Sequence, residues 1–246
     1  MDYPFLTKIG KISFVSCRSN PLCIGGFSSR NGGVSKGQYY SLNLGLQTGD
    51  KDSAVAQNRQ QFFNAIAPGY KVVYLEQIHS GVVQYVDFEY DVVQGDAFFT
   101  QEKNVLLTIS TADCAPILLH DEEYSIIAAI HCGWRGAQEK IIEQTIAQLS
   151  LYVPPENLRA YIGPMIQQSS YEVGAEFDTL FPPEFIKKES GKRFFDLNSY
   201  IEDVLVESGV GRIMNTRLCT YSNPDMFFSH RRDGDTGRML SFIGLQ

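Results

Sequence analysis

The chain has little that would mark it for export, for a membrane or for nucleic acid. Its 246 residues contain no apolar run near the roughly 20 residues that a membrane helix needs. The N-terminal stretch MDYPFLTKIGKISF lacks a basic start followed by an unbroken apolar segment, so no signal peptide is expected. The five cysteines, Cys17, Cys23, Cys114, Cys132 and Cys219, are odd in number and form no Cys-x-x-Cys pair. That usage fits the reduced thiols of a cytoplasmic protein better than a disulfide frame. Basic residues are outnumbered 21 to 28, for a net charge of −7 and a pI of about 5.1. General nucleic-acid binding wants a basic surface and is not expected. No Pro/Ser/Gly tract, long charge run or fixed-period repeat divides the sequence, so one domain spanning 1–246 is expected.

What is present is enough for a sizeable core. Hydrophobic residues make up 43% and charged residues 20% of the chain, as in ordinary folded proteins. A chain of this length closes a core without disulfides.

Local patterns suggest alternating strands and helices. Segment 24–50 is rich in Gly, Ser and Asn and reads as turns and loops. Segment 52–66 reads as a helix with Asp50 or Asp52 near its start. Val55, Phe62 and Ile66 share one face of it, and Arg59 lies on that same face. An arginine pointing inward is either paired structurally or aimed at an anion. KVVYLEQIH and VVQYVDF read as strands joined by a turn at Ser80–Gly81. NVLLTIS is another strand, and a further one follows the interruption at Pro116. SIIAAIH is apolar enough for a strand buried on both faces. A helix is expected at about 137–150, with Ile141, Ile142, Thr145, Ile146 and Leu149 in one stripe. Two more helical patterns lie near 172–181 and 198–209, the second stopped by Gly209. The expected fold is an α/β or α+β sandwich of mixed β-sheets with flanking helices.

The chemistry-bearing residues sit at strand ends. His79 ends one strand pattern, His131 ends another in AAIHCGWRG, and Cys114 follows a strand in TADCAP. Strand ends present side chains to a shared crevice. Two imidazoles and one thiolate form a suitable ligand set for zinc, with a fourth position left for water or substrate. Three other readings use the same atoms. One reads His79 and His131 as hydrogen-bonded core histidines beside an inert Cys114. Another reads Cys114 as a nucleophile, with His131 or His79 as its base and Asp113 or another acid orienting that base. Two His and one Cys also form the in-plane set of an electron-transfer copper site, although no methionine is marked as the axial ligand. A multinuclear copper site asks for more imidazoles than four histidines supply. Arginines in Gly-rich surroundings, Arg135 and then Arg231, Arg232 and Arg238 in FFSHRRDGDTGR, suit phosphate or carboxylate. Salt bridges are the plainer fate for Arg231 and Arg232. Trp134, the lone tryptophan, suits core packing or stacking on a heterocycle.

A set of linked motifs then brings in a resemblance. FSSRNGGVSKGQYYSLNLGLQTGD, NR at 58–59, EQIHSGVV, TADCAPILLHD, AIHCGWRG, YIGPMI, YEVG, CTY at 219–221 and FFSHRRDGDTGRM follow in the order found in one family. From about residue 24 to its end the chain is similar to the purine nucleoside phosphorylase family long labelled laccase-like or multicopper polyphenol oxidase, which includes the peptidoglycan editing factors. The resemblance implies a single-domain sandwich and a zinc ion held by His79, Cys114 and His131, with copper the alternative metal. It implies phosphorolysis of adenosine, inosine and methylthioadenosine, and deamination of adenosine. The partners are then purine nucleosides and phosphate. On that expectation Arg59, with Arg135 and Arg30, holds phosphate, Asn43 bonds the leaving base or the sugar, and Asp113 moves protons. The editing members suggest a second activity, hydrolysis of a peptidoglycan-precursor amide. A non-catalytic metal-binding role is the third. One departure stands out: Cys132 occupies a position where the family usually has alanine. Neighbours in a strand face opposite sides, so Cys132 is not expected to replace a ligand.

Overall fold

Two mixed β-sheets packed face to face carry the molecule. The computed structural model describes residues 5–17, 22–123 and 125–246. The first four residues of the N-terminal stretch considered above lie outside the described residues. In chain order the first strands are β1 (Phe5–Ile9), β2 (Ile12–Ser16), β3 (Cys23–Ser28), β4 (Lys71–Glu76), β5 (Val83–Tyr85) and β6 (Val92–Gln94). Then come β7 (Ala97–Thr100), β8 (Val105–Thr111), β9 (Ala115–Asp121), β10 (Ile127–Cys132) and β11 (Leu158–Ile162). The last are β12 (Glu172–Val173), β13 (Ile186–Glu189), β14 (Lys192–Phe195), β15 (Arg212–Asn215) and β16 (Met239–Leu245). The helices are α1 (Asp52–Ile66), α2 (Trp134–Gln138), α3 (Ile141–Leu149), α4 (Phe177–Leu180), α5 (Leu197–Glu207) and α6 (His230–Asp233).

One sheet has the order β1-β2-β3-β16-β8-β4-β6 and the other β15-β11-β9-β10-β7-β5. Antiparallel pairs dominate both, with parallel pairing of β4 to β8 and β6, of β11 to β15, and of β5 to β7. A small third sheet has the order β12-β14-β13, and its Ile186 and Phe195 join the core that contains α3 and α5.

Side-chain alternation sorts the apolar residues into layers. Leu107 and Ile109 of β8 and Ile243 of β16 meet Leu118, Ile127 and Ala129 of the other sheet. Their neighbours Leu106, Leu240 and Phe242 point the other way, onto Phe62 of α1. On the far sheet Ile117, Leu119, Ala128 and Ile130 face Ile141, Ile146, Ile201 and Leu205 of α3 and α5. The order is therefore helix, sheet, sheet, helices. The central strands of both sheets are buried on two faces, which explains the unbroken apolar runs of β8 and β10.

The helix over 52–66 forms as expected, and Val55, Asn58, Arg59 and Phe62 are its buried residues. The α3 stripe buries the five expected residues. The fifth helix spans 197–207, with Gly209 beyond it at φ +81°. Its start is fixed by Asp196, whose side chain accepts from the Ser199 amide.

Several local expectations are corrected. The loop reading of 24–50 fails at its start, because residues 24–28 are in β3, a paired interior strand. The helix at 137–150 is two helices, broken at Lys140, which takes φ +57°. Segment 172–181 is a two-residue strand and one short helical turn, since tertiary pairing to β14 claims its first residues. Pro116 lies inside β9, near its start, where a missing donor is tolerated. Finally, β4 and β5 make no hairpin: they belong to different sheets. The connection 77–82 crosses between the sheets, and that crossing carries His79.

Candidate metal centre

His131 shows how the sandwich makes a site. Along β10, Ile127 and Ala129 face the space between the sheets, and Ala128, Ile130 and Cys132 face the helices. By that alternation His131 turns between the sheets and Cys132 turns away from it. Cys132 is fully buried among apolar residues, which pushes its thiol well above the usual range.

His131 is itself almost wholly buried, and its Nδ1 donates to Oδ1 of Asp96 at 2.8 Å. The His131 amide also donates to the Asp96 carbonyl. With Nδ1 committed, Nε2 is the nitrogen left free to ligate. The second carboxylate oxygen of Asp96 accepts from the Ser80 amide at 2.6 Å, the Ser80 hydroxyl at 2.8 Å and the Ile78 amide at 3.3 Å. One buried carboxylate thus orients His131 and clamps both sides of His79. Burial works against its charge, but the bonds from His131 and Ser80 prevail and hold Asp96 below the usual carboxylate range.

His79 takes φ +58°, a left-handed conformation that few non-glycine residues adopt. Gln77 anchors the start of the same crossing: its side chain exchanges two hydrogen bonds with the Ser110 backbone. Cys114 lies in the short turn between β8 and β9, directly after Asp113, which is held at φ +106°. Both Asp113 oxygens are committed, one to the Thr220 hydroxyl at 2.6 Å and one to the Arg231 amide at 2.7 Å. Its carbonyl accepts from the Ile166 amide. Three distant segments therefore fix the turn that aims Cys114.

The three donor atoms of His79, Cys114 and His131 all lie within 4.8 Å of one another. The two imidazoles meet edge to face, with centroids 4.9 Å apart. Gly133 leaves the room they need. A Cβ there would stand 2.9 Å from Cys114 Sγ and 3.6 Å from His79 Cδ2. Burial alone would raise the Cys114 thiol, yet the His131 charge and hydrogen bonds from both histidines bring it down to about 6. Burial likewise disfavours a charged His131, but the Cys114 thiolate and Asp96 raise it to about 9. Two nitrogens and a readily formed thiolate, with a carboxylate behind one imidazole, are the donor chemistry of a zinc or copper site. Among the described residues this is the one group of His, Cys, Asp and Glu placed to hold a metal ion.

The cluster opens on a pocket of about 560 Å³. Arg59, Tyr74, Glu76, Gln77, His230 and Arg238 also line it. Arg59 lies with its guanidinium carbon 4.3 Å from the Tyr74 ring centroid, and its Nη1 donates to the Leu44 carbonyl. Its Nη2 is buried and has no hydrogen-bond partner among the described residues.

The other expected residues lie elsewhere. Asn43 is fully buried and spent within the protein. Its Nδ2 donates to Thr48 and Asp50, and its Oδ1 accepts from the amides of Gly45 and Arg238. Arg30 donates to the carbonyls of Tyr40 and Pro224 and stacks on Phe228. Arg135 stacks on Trp134, which itself packs against Phe177 in the core. Neither Arg30 nor Arg135 lines the pocket. Arg232 is tied to Asp233 and to three carbonyls, and Arg231 to the Glu172 carbonyl. Asp96 escaped the sequence reading. Its one signal was an acidic residue set immediately before the apolar strand AFFT.

Comparison with known proteins adds kinship to this geometry. Purine nucleoside phosphorylase YfiH of Escherichia coli is 36% identical over 225 residues, covering 89% of this chain and 92% of that protein. Purine nucleoside phosphorylase YlmD of Bacillus subtilis is 33% identical over 254 residues, covering 93% and 91%. The crystal structure of YlmD from Geobacillus stearothermophilus matches with a TM-score of 0.91 at 29% identity, covering 99% of each chain. No described helix is long and apolar enough to cross a membrane. Residues 24–246 match one family model, and by that match and these relatives the chain belongs to the family described as multi-copper polyphenol oxidoreductase laccase.

Proposed function

We propose that the protein is a zinc-dependent purine nucleoside enzyme. It would phosphorolyse adenosine, inosine and methylthioadenosine and deaminate adenosine. The observation that carries this reading is one pocket lined both by the convergent His79, Cys114 and His131 and by the buried, unpartnered Nη2 of Arg59. The names of the relatives from Escherichia coli and Bacillus subtilis support the nucleoside class.

His79, Cys114 and His131 would hold the metal, which supplies Lewis acidity and makes water acidic enough to act as a nucleophile near neutral pH. In phosphorolysis a phosphate oxygen attacks C1′ of the sugar. The C1′–N9 bond breaks and its electron pair goes to the purine, which ends with the proton of hydrogen phosphate. The sugar carries cationic character at the transition state, as in other glycosidic cleavages. Arg59 is the phosphate anchor in this reading, because its free donor faces no protein acceptor. A buried donor left unmatched costs about 1–3 kcal/mol, which a bound oxyanion would recover. Arg30 and Arg135 are not assigned to phosphate, since their guanidiniums are engaged outside the pocket.

Asn43 is assigned to positioning: it holds the Gly45 and Arg238 amides and so shapes the wall beside Arg59. Asp113 is likewise assigned to aiming Cys114, since both its oxygens already accept bonds. Proton movement falls to pocket-lining groups with capacity to spare. His230 donates Nδ1–H to the Gly234 carbonyl at 2.7 Å, which leaves Nε2 as an acceptor; among the described residues Glu76 is the one carboxylate on the wall.

The test is direct. Zinc-loaded protein is incubated with inosine or adenosine and phosphate, and free base, ribose 1-phosphate and ammonia are measured. Product from the native enzyme, lost in His79→Ala, supports the reading. No product from native, metal-loaded protein would overturn it.

A further inference from the structure

Arg59 is not alone on its wall. Arg238 lines the same pocket, and the two arginines grip one piece of backbone. Arg59 Nη1 donates to the Leu44 carbonyl, while the Leu44 amide donates to the Arg238 carbonyl. The Arg238 side chain lies flat on Gly45, where a Cβ would stand 2.7 Å from Arg238 Cγ. Only glycine lets the side chain pass there. Arg238 Nη1 donates to the carbonyls of Thr236 and Gly237, which fixes one edge of the guanidinium. Neither Arg59 nor Arg238 has a carboxylate within salt-bridge distance among the described residues. Arg59 is only 8% exposed, and its guanidinium lies over the Tyr74 ring.

Two cations left without a counter-ion in an acidic protein, one of them desolvated and short of an acceptor, require an explanation. We propose that Arg59 and Arg238 together form a two-armed subsite for the phosphate co-substrate, with Arg238 as a binding residue beyond those implied by kinship. Planar guanidiniums offer paired donors that match a tetrahedral oxyanion. Glu76, the one carboxylate lining the pocket among the described residues, disfavours a second anion beside the first. The subsite therefore takes inorganic phosphate next to an uncharged nucleoside, in preference to the phosphoryl group of a nucleotide. The inference rests on the phosphorolysis reading given above.

The experiment has a kinetic arm and a binding arm, so that the two readings fail separately. KM for phosphate and KM for inosine are measured for zinc-loaded wild type, Arg238→Met and Arg238→Lys, with metal content and Tm as controls. Phosphate, and separately adenosine 5′-monophosphate, is titrated calorimetrically into each protein without nucleoside. The expected result is a rise of at least tenfold in phosphate KM and Kd for Arg238→Met, an inosine KM changed less than threefold, and partial recovery in Arg238→Lys. Equal phosphate affinity in wild type and Arg238→Met overturns the subsite while leaving phosphorolysis standing. Phosphate binding that depends on Arg238 without any nucleoside turnover upholds the subsite and overturns the wider reading. Binding of the nucleotide but not of inorganic phosphate overturns the co-substrate assignment. Should Arg238→Met not fold, Arg238→Lys and Arg238→Gln carry the same comparison.

Discussion

Asp96 and His131 form a buried carboxylate–imidazole pair, Oδ1 to Nδ1 at 2.8 Å, with the carboxylate side chain fully enclosed. The same carboxylate holds the crossing that carries His79. One residue thus sets two of the three donors. Asp96→Ala is expected to weaken metal affinity by about 10–100-fold, as removal of such outer partners does. It also strands a buried imidazole and three backbone or hydroxyl donors, so stability should fall by about 3–5 kcal/mol. Chelator competition and thermal unfolding measure the two effects. Unchanged metal affinity in a folded Asp96→Asn variant would contradict the orienting role.

The metal-free protein should show a pH signature of its own. Cys114 is depressed to about 6, so its contribution is present at high pH and is lost as pH falls through about 6. His131 is raised to about 9, so its contribution is full below its ordinary value near 6.5 and is lost as pH rises through about 9. Between about pH 6.5 and 8.5 the two slopes oppose each other, so the stability of the metal-free form should stay nearly level there. Cys114 alkylation should reach half its plateau rate near pH 6, and added zinc should suppress it. A half-point near the ordinary thiol value would refute the pairing.

Gly133→Ala probes the space around the thiolate. The added Cβ stands 2.9 Å from Cys114 Sγ, a separation real side chains do not tolerate. The variant should fold and lose metal affinity, because displacement of a donor by a few tenths of an ångström spoils the coordination distance. Full metal occupancy at wild-type affinity would show that the turn has slack.

Cys132→Ala should do the opposite. Its side chain faces the helix layer, away from the donors, and is fully buried. Metal stoichiometry should be unchanged, and the small cavity should cost about 1 kcal/mol. Loss of metal would mean that the strand does not alternate as described.

Arg59→Met separates catalysis from stability. Phosphorolysis should drop by about 2–4 kcal/mol of transition-state stabilisation, or about 30- to 1,000-fold in rate. Tm should move little, because the variant removes an unsatisfied buried donor as well as a bond to Leu44. A large loss of Tm with unchanged turnover would make Arg59 a structural residue.

Local pattern gave much of the scaffold. The α1 span, the α3 stripe and the two-sided burial of β10 follow from spacing along the chain, because a helix or strand repeats over a few residues. The candidate ligands His79, Cys114 and His131 each follow or end an apolar strand pattern, a weak signal that the family resemblance sharpens to those three. The apparent hairpin across Ser80–Gly81 misled because a turn signal looks the same whether the next strand joins the same sheet or another one.

By itself the sequence determined the donor types, the apolar faces and the kinship. Only the tertiary structure decided which polar groups are spent and which are free. Arg30 finds its acceptor 194 residues away at Pro224, Asp113 finds Thr220 and Arg231 more than 100 residues on, and Asp96 reaches forward to His131 and back to Ser80. Such pairings depend on strand order between two sheets, which no local period encodes. A guanidinium on paper is the same whether it is tied down or waiting for an anion, and only packing separates Arg30 from Arg59.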